Sequence, residues 1–209
     1  MLVYEDHKAV VYALAFAPDG SALASGAKDG SVFYRDSAGQ RYPLVECGPT
    51  TPSVHSLVYS PDGSSIFIGG GFGWLGLRNE GGIWKVFGPP NQASVTALAM
   101  LDDRTIAVGT GDRVKGTCGA FELWDVVSGQ KREPHFLEPN GVRAVAVCPA
   151  KRMVAWATAH RQVRVWEIIK QQPKKCSQPK ACLAVALSPD GKQLAAAVDY
   201  SVKVYAIDK

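Results

Sequence analysis

Two glycine-rich segments carry residue types that bind nucleotides in other proteins. Residues 71–76 read GFGWLG, which matches the pattern Gly-x-Gly-x-x-Gly and follows an apolar run. A dinucleotide site also needs a helix whose N-terminus faces the pyrophosphate, and the glycine pair at 81–82 arrives before two helical turns could form. Residues 111–117 have the spacing of a phosphate loop, but no lysine follows Gly116. Neither segment predicts a nucleotide site.

The other groups that could catalyse a reaction or bind a metal are scattered along the chain. The four histidines have no paired metal-ligand spacing, and the five cysteines include no Cys-x-x-Cys pair. Asp102 and Asp103 replace a turn dipeptide, which favours a turn over an acid and base pair. Ser25 has no histidine and aspartate partners of a nucleophile. The sequence therefore predicts no enzyme activity, no metal and no cofactor.

A repeat of about 40 residues organises the elements that hold these groups. The phrase VYALAFAPDGSALASG at 11–26 returns near residues 54, 95, 142 and 182, and equivalent positions are 40 to 47 residues apart. Each copy has an apolar run, a turn of the Pro-Asp-Gly type and a second apolar run, which predicts a hairpin. A third strand follows in each copy, in the second copy as IWKVFG at 83–88, and a fourth is implied at 41–45 and 135–137.

These copies resemble the WD-repeat β-propeller family in their period and phase. Asp6-His7 is similar to the Gly-His of that family, Trp124-Asp125 to its name dipeptide, and Asp29 and Asp199 to its turn aspartate. The hallmark residues are sparse, so the resemblance implies a divergent member in which the hydrogen-bond network of His, Ser, Asp and Trp is complete in no copy. Packing must then supply most of the stability.

The resemblance implies an all-β fold of five four-stranded antiparallel blades, at approximately 7–47, 48–89, 90–138, 139–175 and 176–209. The last copy stops after its third strand, and an uncovered strand edge invites aggregation. We therefore expect residues 1–5 to pair with Ser201 to Ile207 and close the ring as a monomer. Two chains, or an open arc that a second protein completes, are the alternatives.

Insertions between the second and third strands are the candidate binding loops, because insertions in repeat proteins lie on one face. They span residues 69–82 in the second copy and 109–119 in the third. Exposed aromatic side chains and arginines dominate binding at interfaces, which makes Phe72 and Trp74 candidate anchors. The candidate residues around these anchors, or at the rim of the central channel, are Arg78, Arg113, Lys115, Arg143, Tyr12 and His55. Alternatively, Trp74 caps its own ring or the insertion lengthens the hairpin.

The composition and charge of the chain restrict the kinds of partner that we expect. The net charge is +4, from 23 basic against 19 acidic residues, and the chain contains no run of five like charges, so we expect no nucleic-acid partner. No window of 18 apolar residues and no signal-peptide pattern occur, so we expect a cytoplasmic protein without a membrane partner. The functional hypothesis is a non-catalytic scaffold that binds a protein on the face with the two insertions. A small-ligand or glycan binder that stacks sugars on Phe72 and Trp74 is the alternative.

Overall fold

The computed structural model describes residues 3–45, 52–79, 84–87, 93–112, 119–159, 161–170, 173–177 and 182–207. The chain divides into two compact units, Met1–Val95 and Thr96–Lys209. The described residues form strands and two three-residue 3-10 turns, at Gly71–Gly73 and Pro149–Lys151. Among these residues no helix has the length and apolar character needed to cross a membrane.

The first unit holds two four-stranded sheets in which each strand pairs with the next along the chain. The first sheet consists of β1 (Val11–Phe16), β2 (Ala22–Ala27), β3 (Val32–Asp36) and β4 (Arg41–Val45). The second consists of β5 (Val54–Tyr59), β6 (Ser65–Gly70), β7 (Leu75–Asn79) and β8 (Trp84–Val86). The pairing is antiparallel throughout.

The second unit holds three sheets of the same kind. The third sheet, which begins at the end of the first unit, consists of β9 (Ser94–Asp102), β10 (Thr105–Gly111), β11 (Gly119–Asp125) and β12 (Gln130–Glu138). The fourth consists of β13 (Val142–Cys148), β14 (Met153–Thr158), β15 (Gln162–Glu167) and β16 (Lys174–Ser177). The fifth consists of β17 (Cys182–Leu187), β18 (Gln193–Val198) and β19 (Ser201–Ala206). The all-β prediction is confirmed, and these meandering antiparallel sheets are consistent with a WD-type propeller.

The expected insertion in the second copy is wrong in its extent. Leu75–Asn79 is the third strand of that sheet, paired with β6 through Ile66 opposite Arg78, and Trp84–Val86 is the fourth. The connection between β6 and β7 is therefore residues 71–74, not 69–82. Leu75 and Gly76 are both buried and the next three residues are partly buried, so pairing with β6, and not an alternating burial pattern, defines this segment as a strand. Trp84–Val86, within the segment IWKVFG, then forms the outer edge of the sheet.

Ring closure by the N-terminal segment is not confirmed. Val3 to Asp6 belong to no strand, and the fifth sheet has three strands in the part of the chain that the structure describes. The segment instead packs on the first sheet, where the Arg35 guanidinium lies 3.8 Å from the centre of the Tyr4 ring and forms an ion pair with Asp6.

Glycines let adjacent sheets approach one another within each unit. A Cβ on Gly26 would lie 2.4 Å from Cγ1 of Val54, and a Cβ on Gly109 would lie 2.6 Å from Cγ1 of Val142. Both glycines occupy the same position of the repeat, and both valines begin the first strand of the next sheet. The apolar cores lie between the first and second, third and fourth, and fourth and fifth sheets. Packing between sheets therefore supplies the core of each unit, as expected.

The first sheet holds more of the expected polar network than the sequence predicted. The two ring nitrogens of His7 lie 2.8 Å from the hydroxyls of Ser31 and Ser25, and Ser31 in turn donates to Asp29 over 2.7 Å. Burial lowers the pKa of His7 more than the neighbouring carboxylates raise it, so the ring is neutral at pH 7. His7 therefore has a structural role, joining the N-terminal segment to the turn before β3.

Candidate functional site

Bulges in the first strands position three of the predicted binding residues. The pairing of β1 with β2 shifts between Val11 and Ala13, so that Tyr12 has no opposite residue. The same shift occurs at His55 in β5 and at Arg143 in β13. A bulge leaves one residue out of the ladder and redirects its side chain, which explains why these strand residues face outward.

In the first unit the structure brings Tyr12, His55 and the loop of Phe72 together. The rings of Tyr12 and His55 are stacked with centroids 5.7 Å apart and an interplanar angle of 28°. The Ser53 hydroxyl lies 3.0 Å from Nε2 of His55, and the Ser53 carbonyl accepts a hydrogen bond from the Gly71 amide at 2.9 Å. Ser53 thus connects the stacked pair to the turn at Gly71–Gly73.

Phe72 is the most exposed aromatic residue of this group. It lies at the centre of the 3-10 turn with φ 56° and ψ 30°, a left-handed conformation that is costly for a residue with a Cβ. Its side chain is 71% exposed, and Tyr12 is 40% exposed. We call the surface formed by Tyr12, Ser53, His55 and Phe72 the aromatic surface.

Trp74 does not belong to the exposed part of this surface. It is half-buried and packs against the apolar cluster that contains Val54, Leu57 and Ile68. The structural alternative for Trp74 is therefore favoured over an anchor role, and a pair of open stacking rings for a sugar is not formed by Phe72 and Trp74.

Arg78 is also displaced from its predicted place beside Phe72. It lies on β7, four residues after Trp74, which in an extended strand corresponds to roughly 13 Å. Its Nη1 donates a hydrogen bond to the Leu44 carbonyl at 2.9 Å, so the side chain points toward the first sheet. Arg78 therefore lines the opposite end of the second sheet, and the prediction that it surrounds the aromatic anchors is wrong.

In the second unit, Arg143 lies beside a cavity of about 210 Å³. Asp112, at the start of the connection between β10 and β11, lines the same cavity, as does Leu183 of β17. The third-sheet hairpin extends to Gly111 and Gly119, held by the Thr110 hydroxyl, which accepts from the Ala120 amide at 2.9 Å. Arg113 and Lys115, the other predicted binding residues of this connection, lie outside the described residues.

Sequence reasoning missed Leu183 as a surface residue. It occupies the bulge of β17, between Cys182 and Ala184, and is exposed. The signal was present, because Leu183 aligns in the repeat with Tyr12, His55 and Arg143.

Among the described residues, no three His, Cys, Asp or Glu side chains are grouped to hold a metal ion. The Trp124-Asp125 dipeptide has a structural role: Asp125 accepts hydrogen bonds from the amides of Val127 and Ser128 and is paired with Arg132 and Arg104. The hydrogen bond from the Ser128 amide is the largest cause, and the one from the Arg132 side chain the next, that hold the pKa of Asp125 far below its usual range.

The fold and the site define a β-sheet repeat protein that presents bulge residues and short loops for contact. Comparison with known proteins identifies the repeat. Residues 1–36 and 172–206 match the family model for the WD40 repeat, described as the WD domain, G-beta repeat. These matches, together with a curated relative, confirm the resemblance of this chain to the WD-repeat family.

That relative is the Periodic tryptophan protein 2 homolog of Dictyostelium discoideum, which is 24% identical over 219 residues. The alignment covers 98% of this chain and 22% of the relative. The chain therefore spans about a fifth of the length of the curated relative that it matches.

Proposed function

We propose that this chain is a non-catalytic protein-interaction module that binds a protein partner through the aromatic surface. WD40 repeats generally mediate contacts between proteins, and most proteins that carry them act as scaffolds. The observation that carries the proposal is the exposure of Phe72 on a glycine-flanked turn held in a left-handed conformation. Strained backbone conformations cluster at active sites, ligand clamps and switch regions of proteins.

The composition of the aromatic surface fits a protein partner. Aromatic side chains bring large contact area at low cost in conformational entropy, and they are enriched at the centres of interfaces. Tyr12 and His55 are fixed by their mutual stacking, and His55 is fixed further by Ser53, so little ordering is needed on binding. The surface is therefore preorganised around Phe72.

The bulge residues of the second unit are further candidates for contact with a protein partner. Arg143 and Leu183 hold the repeat positions that Tyr12 and His55 hold in the first unit. We propose that they contribute contacts to a partner together with Arg113 and Lys115 of the neighbouring connection. Arginine is favoured at such positions because it combines charge with a planar stacking surface.

Three further statements stay predictions from the sequence: the closed ring of five blades, the monomeric state and the cytoplasmic location. Solution mass and a small-angle scattering profile test the first two together. A closed monomer gives the mass of one chain and the radius of gyration of a compact disc, whereas an association of arcs gives a larger mass.

The proposed function is tested by affinity capture with a matched pair of variants. Phe72→Ser removes the exposed ring, and Ile169→Ser removes an equally exposed apolar side chain from a turn in the fourth sheet, outside the aromatic surface. We expect quantitative mass spectrometry to find proteins that the wild type and Ile169→Ser retain and that Phe72→Ser loses by at least about tenfold. Equal recovery by all three proteins would contradict the proposal.

A further inference from the structure

A cavity of about 320 Å³ opens between the two sheets of the first unit, at the end remote from Phe72. Its mouth lies between the turns that join β1 to β2 and β5 to β6, both of sequence Pro-Asp-Gly-Ser. The turns pack closely, since a Cβ on Gly63 would lie 3.5 Å from Cδ of Pro18. The volume is at the lower end of the range for ligand sites, which suits a single side chain.

The two turns fix carboxylates at the mouth. Oδ1 of Asp19 accepts hydrogen bonds from both the amide and the hydroxyl of Ser21, at 2.9 and 2.7 Å. Oδ1 of Asp62 accepts a hydrogen bond from the Ser64 amide at 3.1 Å, and Oδ2 accepts one from the Ser64 hydroxyl at 2.8 Å. The hydrogen bond from the Ser21 hydroxyl lowers the pKa of Asp19. The bond from the Ser60 hydroxyl, and next the one from the Ser64 hydroxyl, lower the pKa of Asp62. Both are therefore charged at neutral pH, and the turn leaves Oδ2 of Asp19 unused.

The interior of the cavity is aromatic and polar. Tyr34, Leu44 and Tyr59 line it. The Tyr59 hydroxyl is buried and makes no hydrogen bond with any residue that the structure describes. Burial, with smaller contributions from Tyr34 and Asp19, raises the pKa of Tyr59 to about 12, so this phenol stays neutral.

Arg78 is the one positive side chain among the residues that line the cavity. Its Nη1 donates to the Leu44 carbonyl, which directs the guanidinium toward the backbone of β4. With Asp19 and Asp62 at the mouth, the charged lining sums to minus one. The electrostatic potential at the entrance therefore favours a cation.

We propose that this cavity binds a basic side chain, arginine or lysine, of a protein partner. The side chain enters between the two turns, so its aliphatic stem passes Asp19 and Asp62 at the mouth, and its cationic end lies inside against Tyr34, in the field of both carboxylates. A cation near the face of a tyrosine gains further stabilisation from the ring. The cavity lies at the other end of the sheets from the aromatic surface, so it is a second contact site whose test is independent of the first.

The probes are three capped tripeptides, acetyl-Gly-X-Gly-amide, in which X is arginine, lysine or neutral citrulline. Binding is followed by the amide chemical shifts of Ser21, Ser64 and Ile66 during titration. We expect saturable shifts with the arginine or lysine peptide, weakening as NaCl is raised from 50 to 300 mM, and none with citrulline. The stronger of the two cationic peptides identifies the preferred side chain.

Matched variants distinguish the effect of losing the carboxylate charges from the effect of disturbing the turns. Asp19→Asn with Asp62→Asn removes both charges and keeps the Oδ1 acceptors of the turn amides, while the amide nitrogen at position 62 replaces the Oδ2 that accepts from the Ser64 hydroxyl. We expect affinity to fall at least about threefold. Asp190→Asn is the control, because Asp190 makes the same hydrogen bonds to Ser188 and to the Lys192 amide in the fifth sheet but does not line this cavity. Equal shifts with the citrulline peptide, or equal affinity in the double variant, would overturn the proposal.

Discussion

Replacing Arg164 with methionine should destabilise the second unit strongly, because it leaves a buried carboxylate without its cation. Glu138, at the end of β12, is 2% exposed. Nε of Arg164 lies 2.8 Å from Oε1 of Glu138, and Nη2 donates to Oε2 at 3.1 Å. The Trp156 indole also donates to Oε1, at 2.7 Å, and the ring of Trp156 stacks on Phe121 with centroids 4.1 Å apart. The pair therefore lies at the edge of the core between the third and fourth sheets.

The expected loss in the free energy of unfolding depends on which interactions of Glu138 remain after Arg164 is replaced. Breaking a buried ion pair by removing one partner costs about 3–5 kcal/mol, since the other charge stays buried. We expect a loss of about 3 kcal/mol for Arg164→Met, at the low end of that range, because the Trp156 indole still donates to Glu138. The double change Glu138→Gln with Arg164→Met removes the charge and keeps an acceptor for the indole, so it should cost about 1 kcal/mol.

Urea unfolding monitored by tryptophan fluorescence measures both values, and hydrogen exchange of the β14 amides locates the effect in the second unit. The exchange measurement is needed because a chain with two compact units need not unfold in one step. A cost below 1 kcal/mol for Arg164→Met, or a double variant no more stable than the single one, would refute the reasoning.

Three further predictions concern packing, protonation and an unpaired hydroxyl. Gly109→Ala should lower the free energy of unfolding in urea by about 1–3 kcal/mol, because its methyl group would lie 2.6 Å from Cγ1 of Val142. Adding Val142→Ala should restore part of this loss, and no restoration would argue against the contact. Burial lowers the pKa of His7, so the unfolded chain takes up a proton at higher pH than the folded one, and stability should fall as pH decreases below about 6.5. His7→Gln should flatten that slope, and an unchanged slope would exclude His7 as its source. Tyr59→Phe should leave the free energy of unfolding unchanged or raise it by up to about 1 kcal/mol, because the hydroxyl forms no hydrogen bond with the described residues; a loss above 1 kcal/mol would show a partner in solution.

The positions of the repeats predicted much of the fold, because the residues of each turn determine where the hairpins form. Each Pro-Asp-Gly type of turn specifies a hairpin through a positive φ at glycine and an aspartate that bonds its own backbone, as at Asp19 and Gly20. The third strand of the second sheet was assigned to the wrong segment because the glycines around Leu75–Asn79 resemble a loop, whereas the apolar IWKVFG resembles an inner strand. Which of two short apolar runs pairs with β6 depends on tertiary packing, and a periodicity count contains no such information.

The candidate site was predictable in part for the same reason. The repeat position identified Tyr12, His55 and Arg143, because a bulge at a fixed register recurs wherever the repeat recurs. The roles of Trp74 and Arg78 were not predictable, since each depends on contacts with residues more than 15 positions away, Val54 for Trp74 and Leu44 for Arg78. The pair of Glu138 and Arg164 likewise joins two copies of the repeat, and no motif within one copy contains both.

The bulge in the first strand separates recognition from folding. Its extra residue takes no part in the cross-strand ladder, so a substitution there removes few interactions that hold the sheet together. Tyrosine, histidine, arginine and leucine occupy this position in four sheets of one chain, which shows how wide a range of side chains the backbone tolerates. An engineer who wishes to redirect this protein toward a new target can therefore randomise these four positions and keep the scaffold that presents them.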